Sequence, residues 1–161
     1  MITLVPMSEV DFPSFEAEWI SFYADANVRA GHWPASSAIA LAQEEFRRQL
    51  TSGLSTPGHR IYHICEQQRR QKVGSVWFGE FQAEGVRTGF ISSIYINPEH
   101  RRQGYAKAAL ALIEEQSMAQ GLTSVELHVF CQNVAAQALY RSLGYNVTGF
   151  HMVKPLRCDG T

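Results

Sequence analysis

At 161 residues, 45% hydrophobic and 18% charged, the chain has the size and apolar content of one folded domain spanning residues 1–161, not of a disordered segment. A net charge of −1 excludes the broad basic excess of a nucleic-acid binder, so any anion site must be local. The apolar runs fall short of the roughly 20 residues that cross a bilayer, and Cys65, Cys131 and Cys158 are odd in number and too far apart for a metal knuckle or a disulfide framework.

No membrane segment, nucleic-acid partner or metal is therefore expected. The opening MITLVPMSEVDF also lacks a basic stretch followed by a long apolar core, so the expected setting is the cytoplasm.

In chain order, residues 2–5 read as a short strand. Phe12, Phe15, Trp19, Phe22, Tyr23 and Ala26 recur at intervals of three and four, which predicts a helix over about 11–30. Ser8 stands before it as a cap, Pro13 fits its first turn and Gly31 closes it. After the break at Pro34, Ser36 or Ser37 caps a second helix to about Leu50, and residues 51–59 form a loop. Three strands follow, 59–66, 73–81 and 90–96, joined by turns short enough to make them antiparallel neighbours.

A helix over 104–120, closed by Gly121, leads to a strand over 125–130. That connection is a crossover, so strands 90–96 and 125–130 should be parallel. A helix over 134–143, closed by Gly144, and a last strand over 145–156 complete the order β-α-α-β-β-β-α-β-α-β. The expectation is an α/β fold of the mixed-sheet kind, with helices on both faces.

Two stretches carry the chemistry. In PEHRRQGYAKAAL, residues 98–110, Asn97-Pro98 breaks a strand and a helix begins near Gly104. The first amides of a helix have no internal partner, and the helix dipole adds about half a positive charge there, so the place suits a phosphate. Gly104 carries no Cβ, Ala106 keeps the next turn small, and Arg101, Arg102 and Lys107 can add charge at the rim. The same residues would also serve as an ordinary solvated loop. Neither a P-loop nor a dinucleotide fingerprint is present. In NVAAQALYRSLGY, residues 133–145, Asn133 opens a helix whose Ala136 and Tyr140 lie roughly on one side. Asn133 can be a cap, and Tyr140 a half-buried packing residue.

Together, Arg101-Arg102-Gln103-Gly104-Tyr105-Ala106 and the N-x-x-A-x-x-L-Y-x-x-x-G-Y run from Asn133 to Tyr145 resemble the GNAT superfamily of acetyl-coenzyme A-dependent N-acetyltransferases. The resemblance covers about residues 59–156, and the first 58 residues fit the family's opening elements without a motif. It implies a GNAT-like sheet whose central parallel strands splay apart. It further implies acetyl-CoA as cosubstrate, with its pyrophosphate on the amides of Arg102, Gln103, Gly104, Tyr105, Ala106 and Lys107. The pantetheine arm would pair like a strand with Ile94, Tyr95 and Ile96, and Asn133 and Ala136 would lie beside it. The reaction would be direct attack by a neutral amine in a ternary complex, with an oxyanion donor among the amides of residues 94–96. Tyr140 would donate a hydrogen bond to the departing thiolate, because full proton transfer from a phenol to a thiolate is uphill.

Many members place a Glu at the start of the strand before the cradle, where this chain has Phe90-Ile91-Ser92-Ser93. Glu80 is the substitute base expected from sequence, or a water chain to bulk; Glu99 reads as a solvated loop acid, and His128, which could titrate near neutral pH, reads as a satisfied sheet histidine. The acceptor would be a small-molecule or peptide amine, shaped by the two N-terminal helices and the final strand. Trp19, Tyr23, His32 and Trp33 would give an aromatic lining, although core packing explains Trp19 and Tyr23 as well. Dimers are common in the family, so a homodimer is an expectation. Two rival readings stand beside it: a sensor that binds acyl-CoA without turnover, and a thiol hydrolase built on Cys131 and a histidine.

Overall fold

The apolar stripe near the N-terminus coils into α1 (Phe12–Arg29) and buries Phe15, Trp19, Ile20 and Ala24 in the structure, a computed structural model that describes residues 1–154 and 156. Pro155 and Cys158 lie outside the described residues. Pro13 sits in the first turn of α1, as expected, but the N-cap is Asp11, whose carboxylate accepts from Ser8 Oγ at 2.8 Å. Helix α2 (Ala38–Gln49) follows from Ser37 and turns Ala42 and Phe46 inward.

The remaining elements are β1 (Ile2–Pro6), β2 (His59–Glu66), β3 (Gln71–Ala83), β4 (Val86–Ile96), α3 (Tyr105–Ala119), β5 (Ser124–Leu127) and α4 (Val134–Ser142). The sheet runs β1-β2-β3-β4-β5. Its first three pairings are antiparallel and the β4–β5 pairing is parallel, as the crossover requires. Strands β3 and β4 are longer than expected from sequence. Their connection shrinks to Glu84-Gly85, with φ of 51° and 80°, and positive φ at both central residues matches the right-handed twist of a two-residue hairpin.

Each face of the sheet has its own core. On one, Phe15, Trp19 and Phe46 converge on Trp77, with ring centroids 5.4 to 6.3 Å from it. The fully buried Trp77 indole donates to His59 Nδ1 at 3.0 Å, so its polar atom is satisfied where no water reaches. On the other face, Ala109, Leu110 and Ile113 of α3 pack with Ile64, Val76, Phe78 and Ile91, and Leu139, Tyr140 and Leu143 of α4 join them. Burying side chains of this size contributes about 1.5–3 kcal/mol each before the entropy cost is subtracted.

The expected last strand does not form. Residues 145–154 and 156 carry no regular secondary structure. Their alternation of apolar residues has no facing strand: Val147, Phe150, Met152, Val153 and Leu156 are all exposed, so nothing offsets the entropy of holding an extended backbone. Strand β5 is also shorter than predicted, ending at Leu127 instead of Phe130. That early ending opens the site.

Candidate active site

Strand β4 has two halves. From Thr88 to Ile91 it pairs with Ser124 to Leu127 of β5, and the pairing stops at Ile91–Leu127. On the β3 side the ladder continues to Ile96, but with an irregularity: Phe78 faces Ile91 and Trp77 faces Ser93, so Ser92 is the extra residue of a bulge. A bulge bends its strand and increases the local twist. Here it lies one residue past the last β4–β5 pair, and the two parallel strands splay from that point. Ser92 to Ile96 keep no strand partner on the β5 side among the described residues.

The gap is a pocket of about 220 Å³. Its floor is Ile91 to Tyr95, one wall is His128 to Phe130 with Asn133 and Tyr140, and the opposite wall is α1, with Glu18, Phe22 and Tyr23 among its residues. Phe22 stacks on Tyr95 at 4.9 Å. Ser92 Oγ is buried and has no hydrogen-bond partner among the described residues.

Beyond Ile96 the chain makes a short turn, Pro98–His100, and enters α3. Arg101 is held by the protein itself: its Nε donates to Ile96 O at 2.9 Å and its guanidinium lies 5.4 Å from the Tyr95 ring centroid. Arg102 has φ of 62°, and Gly104, the N-cap of α3, has φ of 82° with no side-chain cap bond. Turning the chain left-handed there aims its amides outward. Among the described residues, the first amide of this segment with an internal partner is Ala108, which donates to Gly104 O at 3.0 Å. The amides of Arg102 through Lys107 have none. A Cβ placed on Gly104 would meet nothing within 4 Å, so the space in front of it is open.

Helix α4 brings two expected residues to the pocket. Asn133 Oδ1 accepts from Ala136 N at 3.2 Å, so the side chain caps the helix and leaves its Nδ2 amide for the pocket. Tyr140 lines the pocket, its hydroxyl forms no hydrogen bond among the described residues, and burial pushes its phenol up, which keeps it protonated. Ala136 is half-buried and does not line the pocket, and Ile96 lies beyond its edge, whereas Ile94 and Tyr95 line it.

Glu80 is not brought to the pocket. It sits on β3 opposite Gly89, in the closed half, with Arg60 Nη1 2.6 Å from Oε1 and Arg87 Nη2 3.2 Å from Oε2. A carboxylate gripped by two guanidiniums is a structural anchor, not a free base. Glu99 is exposed in its turn, and Cys131 is exposed and outside the pocket lining.

The sequence reading did not foresee Glu18, whose exposed carboxylate borders the pocket, or the orphaned Ser92 hydroxyl. The helical stripe places Glu18 beside Trp19 and Phe22, but the bulge that buries Ser92 leaves no sequence signal. His128 also lines the pocket. Its ring lies 4.9 Å from Phe130, while His32 and His151 stand 5.2 Å apart. No group of three or more ligating side chains poised for a metal exists among the described residues.

Comparison with known proteins agrees with this architecture. Residues 13–145 match the model of the Acetyltransferase (GNAT) family. The N-acetyltransferase YycN of Bacillus subtilis, itself uncharacterized, is 31% identical over 155 residues, covering 96% of this chain and 99% of YycN. The crystal structure of YycN superposes with a TM-score of 0.91 over 98% of this chain and 99% of its own. A shorter match, 37% identical over 54 residues and covering 34% of this chain and 36% of the other, is to the ribosomal protein bS18-alanine N-acetyltransferase of Escherichia coli. An edge opened by a bulge, a run of free amides at a helix start and a pocket tyrosine thus occur in a chain that belongs to the GNAT family of N-acetyltransferases.

Proposed function

We propose that this chain moves an acetyl group from acetyl-CoA to a primary amine of a small molecule or peptide, by direct attack within a ternary complex. The observation that carries the reading is the end of β4–β5 pairing at Ile91–Leu127 while β4 runs on to Ile96. A pantetheine arm carries amides that can pair with such an edge as a strand would.

The residues present fit the cosubstrate. Arg102, Gln103, Gly104, Tyr105, Ala106 and Lys107 offer unpartnered amides at a helix N-terminus, and the open space over Gly104 admits a diphosphate close to the backbone. Arg102 and Lys107 add positive charge, whereas Arg101 braces the turn through Ile96 and Tyr95. When bound, acetyl-CoA supplies an activated acyl group on sulfur. The amides of Ile94 and Ile96, turned away from β3 by the register in which Asn97 N donates to Val73 O, can stabilise negative charge on the acyl oxygen, and Ser92 Oγ is a further free donor. Tyr140, kept as a neutral phenol by burial, donates a hydrogen bond to the leaving sulfur. Asn133 Nδ2 orients the arm.

The acceptor enters between α1 and the end of β5, past Phe22, Tyr23 and Phe130, with Glu18 at the rim to attract an ammonium. One relative is an alanine N-acetyltransferase of ribosomal protein bS18, so peptide amines belong in any screen beside small amines. The test is calorimetry with acetyl-CoA followed by thiol release across a panel of amines and N-terminal peptides. Saturable binding with amine-dependent release is expected. Binding without release for any acceptor would convert the protein into an acyl-CoA sensor, and absence of binding would overturn the reading.

A further inference from the structure

We infer that His128 is the general base of this site, taking the proton from the acceptor ammonium and passing it to solvent. The inference rests on the acetyl-transfer reading above and supplies the base that Glu80 does not provide.

The geometry comes first. His128 is the residue after Leu127, the last position of β5 paired to β4, so it stands at the vertex of the splay across from the Ser92 bulge. Its side chain lines the pocket, is exposed to solvent on its other side, and makes no hydrogen bond to any described residue. An imidazole that meets the Phe130 ring edge to face and has no hydrogen-bond partner among the described residues is free to accept a proton.

The surroundings fit the task. Titratable groups lining the same pocket come from α1 (Glu18 and Tyr23) and α4 (Tyr140), with Tyr95 on β4. His32, before α2, and His151, after α4, supply the neighbouring positive charge when protonated. Burial, and then the nearness of His32 and His151, hold His128 below the usual imidazole value, so it is neutral at pH 7. Both neighbours are exposed, their rings meet edge to face at 5.2 Å, and His32 lies 6.0 Å from Phe130. Glu18 is exposed at the rim, better placed to attract the ammonium than to deprotonate it at the vertex.

The proton count closes. An ammonium acceptor gives one proton to His128, and the neutral amine's lone pair forms the C–N bond. As the C–S bond breaks, its electron pair leaves with sulfur, and a second proton from nitrogen ends on that sulfur. The products are the amide, a free thiol and one proton delivered to solvent from His128.

The test combines kinetics with a readout that needs no turnover. With the best strongly basic amine from the acceptor screen, His128→Gln should lower kcat/KM about 100-fold at pH 7, near the floor for loss of general-base catalysis, and leave acetyl-CoA affinity unchanged. Wild-type kcat/KM should fall only below the usual imidazole value and stay flat above it. The variant should instead climb with pH as free amine accumulates. With methoxyamine, already neutral at pH 7, the penalty should shrink to roughly threefold or less; a purely structural defect would penalise both acceptors alike.

Glu18→Gln should preserve the wild-type acid limb. In the wild-type protein alone, the His128 imidazole followed by NMR should titrate below the usual value and shift upward in His151→Gln. This readout stands even if His128→Gln fails to fold. Equal penalties for the two amines, an acid limb lost in Glu18→Gln, or an imidazole indifferent to His151 would overturn the role of His128. A wild-type protein that releases no thiol with any amine overturns the transfer reading and this inference together.

Discussion

The two halves of β4 differ in what their residues are committed to. From Thr88 to Ile91 every resource serves closure. Gly89 is small because the Phe78 ring lies where a side chain would go, Ile91 is buried under α3, and the β5 ladder is complete. From Ser92 to Ile96 the strand keeps only its β3 side, a hydroxyl is left buried without a partner, and a pocket replaces the missing strand. A single bulge separates the regimes. Substitutions before it should act on stability, and substitutions after it on binding and turnover.

Gly89→Val tests the closed half and should have the largest effect. Its Cβ would lie 2.6 Å from the Phe78 ring, which is nearly fully buried and has nowhere to move. Overpacking of this kind should cost about 3 kcal/mol, read as a lower denaturant midpoint, with the affinity of the folded fraction for acetyl-CoA retained.

Gly104→Asp tests the cradle beyond the open half. Asp tolerates positive φ and is a favourable N-cap, so the fold should survive. Its charge and volume face the diphosphate, and calorimetry should show affinity for acetyl-CoA lost by at least about 100-fold, or roughly 2.7 kcal/mol.

On the proposed reading, Tyr140→Phe removes a hydrogen bond made to sulfur as it becomes negative. Steady-state kinetics should show kcat down by about 10- to 100-fold with acetyl-CoA affinity little changed, the range expected for a hydrogen bond to a charged group. An unchanged kcat would remove Tyr140 from the mechanism.

The smallest effect has two signs. Ser92→Ala deletes a buried hydroxyl with no partner, and should raise stability by up to about 1 kcal/mol, or roughly 2–4 °C in Tm. The same change should weaken turnover severalfold, because the hydroxyl is free for a ligand. A serine whose loss destabilises the protein would mean that the open half is internally satisfied after all.

The contrast also marks what the sequence could disclose. Periodicity located α1, α2, α3 and α4 to within a residue or two, because local backbone geometry and residue type suffice there, and the two motifs pointed to the turn before α3 and to Tyr140 of the pocket lining. Pairing partners are set at long range. Nothing local separates the strand-like run after Tyr145 from a true strand until the structure shows its apolar side chains facing solvent. Glu80 failed as the expected base for the same reason: Arg60 and Arg87 reach it from β2 and β4, and only strand register brings them together. His128 looked like a sheet histidine because alternation was carried past Leu127, where the ladder had already ended.

The central claim, that the open half of β4 and the amides before α3 form the acetyl-CoA site, is tested most directly by amide hydrogen exchange with and without that molecule. Residues 92–96 and 102–107 should gain protection on addition of acetyl-CoA, while residues 88–91, already laddered on both sides, should not change. Saturating acetyl-CoA that leaves 92–96 and 102–107 exchanging as before would contradict it.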